Sequence, residues 1–369
     1  MGKSLPTMPN PFAPCGAAKK STKVKQMLQQ PEQFRPPWYL RNGHVQTILT
    51  GFYKPKAPLP PTVDHKIPMG DQGYSFVFEN APSRLDPKHS DEGVLLLHGL
   101  GSSHAGTYMT TTAQCLLAQG LRVFRADLPG AGPSGEFTPL PPHGACYEEV
   151  WGMLTHLRDK LGIRKWRISG VSLGGNILLK MLSAKHNQID CGEQNRELSV
   201  LQAVAVAPPI RLSDCSTHME QGVYKLYANY FMRSLRKQTK ARAVIWPQWA
   251  ERLRHASFET IRKFDETVTA PLAGFRDAEE YYSAGSSGAW LDQIEVPTTI
   301  LIDKHDPIVP EWMFDSAILS DSTVLRKSEF GGHVGYIHRY CAPSYSGKAM
   351  PRKRLHRWAD SWIANELLK

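Results

Sequence analysis

The pentapeptide Gly170-Val-Ser-Leu-Gly174 is where residue types and spacing in this sequence most directly imply chemistry. A serine with glycine two residues to either side fits a tight strand-to-helix corner, which lifts its hydroxyl clear of the backbone. Trp166-Arg-Ile-Ser169 ahead of it reads as a strand and the residues behind it as a helix, the context such a corner demands. A lone serine hydroxyl is a weak nucleophile, so Ser172 needs a base and a group that orients the base. His333, in Phe330-Gly-Gly-His-Val-Gly335, sits on a glycine-rich loop ahead of a C-terminal helix and is the expected base; His44, His98, His104 and His305 lack such a loop. Two aspartates follow a late strand in Asp303-Lys-His-Asp-Pro-Ile-Val-Pro310. Asp306, farther along a loop ended by prolines, is expected to orient His333, and Asp303 reads as a cap or turn residue.

Attack on a carbonyl puts negative charge on its oxygen, and removing one donor to that oxygen typically costs about 3 kcal/mol in the barrier. The N–H of Leu173, at the positive end of the helix after the nucleophile, is expected to supply one donor. Leu100, in the turn His98-Gly-Leu-Gly101, is expected to supply the other. That turn matches neither phosphate-cradling glycine pattern, so no nucleotide cofactor is expected.

These residues have to be placed by a framework, and the sequence supplies a repeating one. Alternation over Asp64 to Pro68 and Tyr74 to Glu79 predicts an early hairpin. Strands are then predicted at Val94 to Leu97, Leu121 to Ala126, Trp166 to Ser169, Val200 to Val206 and Pro297 to Ile302, with helices over Thr107 to Gln119 and Tyr147 to Leu161 between them. Strands alternating with helices at this spacing predict a mostly parallel central sheet covered by helices on both faces. From about residue 207 to 288 the alternation gives way to a helical stretch rich in Tyr, Trp and Arg, expected to form a lid over the sheet. Residues 1–30, polar, Pro-rich and basic, read as a flexible arm, and 31–369 as one domain.

Composition bounds the rest. At 41% hydrophobic and 21% charged residues, the chain has the make-up of a soluble globular protein, not a disordered one. A formal charge of +10 favours an anionic partner, and peripheral contact with an anionic membrane is one expectation. No basic run interleaved with aromatics marks a nucleic-acid surface, and none is expected. The six cysteines are scattered without metal-ligand spacing, which predicts reduced thiols, no metal site and a cytoplasmic location. Neither a secretory core nor a run of about 20 apolar residues is present.

Taken with Arg35-Pro-Pro-Trp-Tyr-Leu-Arg-Asn-Gly-His-Val-Gln-Thr47, Phe264-Asp-Glu-Thr-Val-Thr-Ala-Pro-Leu-Ala-Gly-Phe275 and Tyr281-Tyr282, the order Ser172, Asp306, His333 resembles the YheT-like branch of the α/β-hydrolases from Phe34 onward. The resemblance implies the α/β-hydrolase fold and a cofactor-free serine esterase. Its substrates would be small ester or lipid molecules, either short- to medium-chain acyl esters or acylglycerols. One departure is Asp127-Leu-Pro-Gly-Ala-Gly-Pro-Ser134, where the resemblance leads one to expect an Asn- or Arg-containing loop. The two long motifs are expected to pack the lid onto the core. Tyr224, Tyr227, Tyr230, Phe231, Trp246 and Trp249 are candidates for an acyl pocket. Transfer of the acyl group to an alcohol, amide or thioester cleavage, and a non-catalytic binding module on the same fold are the competing readings.

Overall fold

The run Glu92–Leu97 is buried along its whole length, as a strand covered on both faces must be, and it forms the centre of the sheet. The computed structural model describes residues 34–55, 58–185, 189–190, 198–339 and 355–369. The expected basic arm over residues 1–30, and with it Cys15, Cys191 and Cys341, lies outside the described residues.

Nine strands form one sheet among the described residues. In chain order they are β1 (Thr62–Pro68), β2 (Tyr74–Asn80), β3 (Glu92–Leu97), β4 (Val123–Ala126), β5 (Lys165–Val171), β6 (Ile189–Asp190), β7 (Leu198–Val206), β8 (Thr298–Asp303) and β9 (Thr323–Ser328). Their spatial order is β1-β2-β4-β3-β5-β7-β8-β9, with β6 beside β7. β1 and β2 form the expected antiparallel hairpin, β2 pairs antiparallel with β4, and every other pairing is parallel. β6 and β9 were not anticipated from the sequence. β9, Thr-Val-Leu-Arg-Lys-Ser, mixes polar and apolar residues, as befits a strand at the sheet edge.

The helices are α1 (Gly43–Phe52), α2 (Thr107–Ala118), α3 (Tyr147–Leu161), α4 (Leu173–Ala184), α5 (Leu212–Met219), α6 (Lys225–Ile245), α7 (Pro247–His255), α8 (Ile261–Phe264), α9 (Ala270–Leu272), α10 (Ala278–Gly285) and α11 (Trp358–Leu367). A π turn over Asp265–Thr269 joins α8 to α9. Helices α5 to α10 all fall in the single connection between β7 and β8. No helix among the described residues is long and apolar enough to cross a membrane.

Side-chain alternation divides the core between the two faces. Leu95 and Leu97 of β3 pack with α3 and α4, whereas Val94 and Leu96 pack with α2 and α11. The largest fully buried side chain is Trp166 of β5, set edge-to-face on Phe124 at 5.2 Å between ring centroids. Gly93 on the neighbouring strand makes room for it, since a Cβ there would lie 2.6 Å from the indole.

The strand order also fixes where a site can form. The connection leaving β3 runs to β4 on one side, and the chain then crosses back to β5 on the other, so the order reverses between β3 and β5. Such a reversal opens a crevice at the carboxyl ends of the strands. Leu97 leads from there into His98-Gly-Leu100, and Val171 into Ser172.

Trp166→Ala should lower the free energy of unfolding by about 3–5 kcal/mol, because the cavity it leaves is walled by fully buried neighbours. Urea denaturation followed by near-ultraviolet circular dichroism reads this as a lower midpoint at unchanged slope.

Candidate active site

Ser172 occupies the junction of β5 and α4 at φ 53° and ψ −123°, a backbone region costly for any residue with a side chain. The corner closes because its neighbours carry no Cβ. A Cβ on Gly174 would lie 2.6 Å from the carbonyl oxygens of Leu97 and His98, and one on Gly170 would run into the backbone of Gly174. The N–H of Ser172 donates to Val206 O at 2.8 Å, and its carbonyl accepts from Gly175 N and Asn176 N, which starts the helix.

The structure brings the three residues expected to act together into one relay. Ser172 Oγ lies 3.0 Å from His333 Nε2, and His333 Nδ1 lies 2.8 Å from Asp306 Oδ2. A carboxylate can only accept, so Nδ1 carries the proton and Nε2 is left to accept from the serine hydroxyl. Asp306 is held in turn by the N–H groups of Ile308 and Val309, which donate to its Oδ1 at 2.8 and 2.9 Å. Asp303 does something else: it accepts from His305 N at 3.0 Å and from Gly331 N at 2.6 Å, bracing the end of β8 against the histidine loop. Burial pushes its carboxyl up to about 6.

Two of the competing histidines, His98 and His104, are engaged elsewhere. Leu128 N donates to His98 Nε2 at 3.1 Å, so His98 donates through Nδ1 to Gly99 O; its burial lowers its pKa. His104 pairs with the buried Asp127 at 2.9 Å and stacks on Phe78. Asp127 therefore opens the divergent loop as a structural anchor. Farther along, Arg242 of α6 donates to the carbonyls of Gly130, Thr138 and Leu140, its pKa brought down to about 9 by burial.

The histidine loop is clamped from the N-terminal side, which sequence reasoning missed. Thr47 Oγ1 in α1 accepts from His333 N at 2.9 Å. Gln46 is fully buried; its amide donates to Leu40 O and Ile337 O and accepts from Ile337 N. Gly332, at φ 55°, leaves space for Gly43 O and Thr47. The expectation that Arg35 to Thr47 packs the lid onto the core is met in part, at His44, and the segment also holds the loop of His333. His44 bonds toward α6, with Nδ1 2.7 Å from the Tyr227 hydroxyl. The signal in the sequence was the adjacent uncharged pair Gln46-Thr47 on a short helix, which local pattern alone does not distinguish from a surface helix.

Ser172, Leu100 and Leu173 line one cavity enclosing about 850 Å³ of empty space, its open mouth included. Its walls are mostly apolar: Leu212, Met219, Leu235, Phe264, Ile308 and Val309 among them. Of the aromatic residues expected there, Phe231 and Trp249 are present. Tyr224 and Tyr227 stack on His44, Tyr230 is exposed, and Trp246 donates from its indole to Gly135 O, so those four are corrected. Aromatic residues on several faces of a long helix do not reveal which face turns inward.

The second motif supplies the cavity's polar spot. Asp265 starts the π turn; its Oδ2 is 2.8 Å from the Tyr282 hydroxyl, which is also 3.2 Å from Ser216 Oγ. Asp265, Tyr282 and Ser216 all line the cavity. Burial raises the Asp265 carboxyl to about 6, and hydrogen bonds from Thr269 and Tyr282 only partly offset it. Extra backbone turns of this kind cluster at functional sites.

Against known proteins, the family described as the alpha/beta hydrolase fold matches residues 93–315. The Escherichia coli protein named "Putative esterase YheT" is 26% identical over 310 residues, covering 83% of this chain and 87% of that protein. A Saccharomyces cerevisiae monoacylglycerol lipase is 26% identical over 275 residues, covering 72% of this chain and 59% of its own length. A solved arylesterase structure superposes with a TM-score of 0.51 at 14% identity, covering 88% of this chain and 91% of that one.

Thr47→Val should strand a backbone N–H of the histidine loop and cost about 1–3 kcal/mol, while Thr47→Ser keeps the acceptor and the stability; urea unfolding of both decides it. Asp265 has a folded pKa raised above its unfolded 3.8, so its folded form holds the proton more tightly and its contribution is lost as pH rises through about 6. Relative to Asp265→Asn, the wild type should therefore lose about 2 kcal/mol between pH 4 and 7, measured as the difference in unfolding free energy at the two pH values.

Proposed function

The chain belongs to the α/β hydrolase fold family, and from that premise we propose that it is a serine hydrolase cleaving carboxylic esters through an acyl intermediate on Ser172. The observation that carries this reading is the hydrogen-bonded relay Ser172–His333–Asp306 opening onto an apolar cavity.

In this mechanism Ser172 Oγ attacks the ester carbonyl as its proton passes to His333 Nε2, and Asp306 stabilises the imidazolium that forms. The carbonyl oxygen becomes an oxyanion, which the backbone N–H groups of Leu173 and Leu100 receive. Leu173 is the first residue of α4, where N–H groups have no intrahelical acceptor and the helix dipole favours negative charge. His333 then returns its proton to the departing alcohol. Water enters, is deprotonated by His333, and releases the acid by the same steps in reverse. No metal or organic cofactor is required by this sequence of steps.

Substrate class follows from the walls. An apolar cavity suits an acyl chain of short to medium length, as in simple esters or acylglycerols, and α5 to α10 serve as the lid that encloses it. The names of the two relatives above, an esterase and a monoacylglycerol lipase, point the same way.

Mass spectrometry of the intact protein after fluorophosphonate treatment should find one adduct. Ser172→Ala should abolish it together with p-nitrophenyl butyrate hydrolysis, and His333→Ala should slow hydrolysis by about 10⁴-fold or more. No adduct and no hydrolysis across acyl chain lengths would remove the reading.

A further inference from the structure

Two helices beside the site, α1 against the His333 loop and α6 against the cavity, expose apolar side chains on their outer faces. On α1, Val45, Ile48 and Phe52 recur at helical spacing and point outward; Phe52 is 78% exposed, and Trp38, just ahead of the helix, is 80% exposed. Just ahead of α6 and in its first turn, Val223 and Leu226 are likewise exposed, at 52% and 66%. The two segments meet where His44 stacks on Tyr224 and Tyr227 and bonds the Tyr227 hydroxyl. Large side chains left this open in one neighbourhood mark a contact surface rather than scattered exceptions.

Within the two stretches of sequence that carry them, the charges are of one sign. From Phe34 to Val63 the sequence has no Asp or Glu, but it has Arg35, Arg41 and Lys54, all exposed. From Gln221 to Ala250 there is again no acidic residue, while Lys225, Arg233, Arg236 and Lys237 are exposed on α6. We propose that this face, formed by Trp38, α1 and the first turns of α6, docks on an anionic lipid surface. Aromatic and aliphatic side chains rimmed by Lys and Arg are what an interfacial helix presents to a bilayer, with apolar burial and attraction to acidic headgroups acting together. A second copy of the chain fits poorly, because a two-fold contact would set the same cations against one another. The inner faces of both helices carry the site: Thr47 holds the His333 loop, and Phe231 and Leu235 line the cavity. Docking would bring lipid molecules to the elements that hold the His333 loop and wall the cavity.

The test is co-sedimentation of the full chain with vesicles of phosphatidylcholine alone or mixed with phosphatidylserine, at low and high salt. The wild type is expected to bind the mixed vesicles, less so at high salt. The pairs Trp38→Ser with Phe52→Ser, and Val223→Ser with Leu226→Ser, should each weaken binding by about tenfold or more while thermal unfolding stays at the wild-type midpoint. Lys54→Glu with Arg233→Glu should reduce the preference for phosphatidylserine. Wild type left in the supernatant overturns the proposal. So does vesicle binding untouched by the apolar substitutions, which would place the contact elsewhere on the chain. Concentration-dependent self-association lost with the same substitutions, in the absence of vesicle binding, would assign the face to a second copy instead.

Discussion

The site depends first on a backbone corner that the chain would not adopt unaided. A residue held as Ser172 is costs of order 1–3 kcal/mol, and it persists only where its surroundings leave no alternative. Here they do not: the Ser172 N–H is tied to β7, its carbonyl starts α4, and Gly174 is wedged beneath the carbonyls that end β3. At the fourth residue of the helix, Asn176 donates to Gly285 O and accepts from Ser287 N and Oγ. The same helix that holds the corner thus anchors the far end of the helical segment above it.

The partners of Ser172 arrive on loops, and loops hold position only when bonded from several sides. Asp306 has its carboxylate shared between two backbone N–H groups and His333, which leaves it one productive orientation. Asp303, three residues earlier, spends both oxygens on the backbone. One short loop therefore supports two buried acids with separate work, one facing the imidazole and one bracing the loop that carries it. α1 completes the enclosure from a part of the chain nearly three hundred residues away, through the hydroxyl of Thr47 and the amide of Gln46.

The cavity sets a different tension. Its apolar walls favour hydrocarbon, yet Asp265 is buried among them and forms no ion pair among the described residues. Desolvation opposes its ionisation, and the hydroxyls of Tyr282 and Thr269 offset only part of that cost. With its pKa raised to about 6, the carboxyl can donate as well as accept in mild acid and only accepts above that, so the cavity offers one pH-dependent polar contact to an otherwise apolar guest.

The sequence by itself determined the β/α alternation, the hairpin ahead of it, the corner at Ser172, and the loops bearing Asp306 and His333. Each is written locally: strands in apolar runs, helices in their spacing, the corner and the histidine loop in glycines that admit backbone where a Cβ would collide. Only the tertiary structure decided what crosses between elements. That Thr47 meets His333, that Asp127 anchors a loop through His104, that Phe231 turns inward while Tyr230 faces out, and that Asp265 reaches the cavity all depend on how distant elements pack. Local patterning names the faces an element has, but contact between far-separated residues selects which face is used, and that selection is made by the core as a whole.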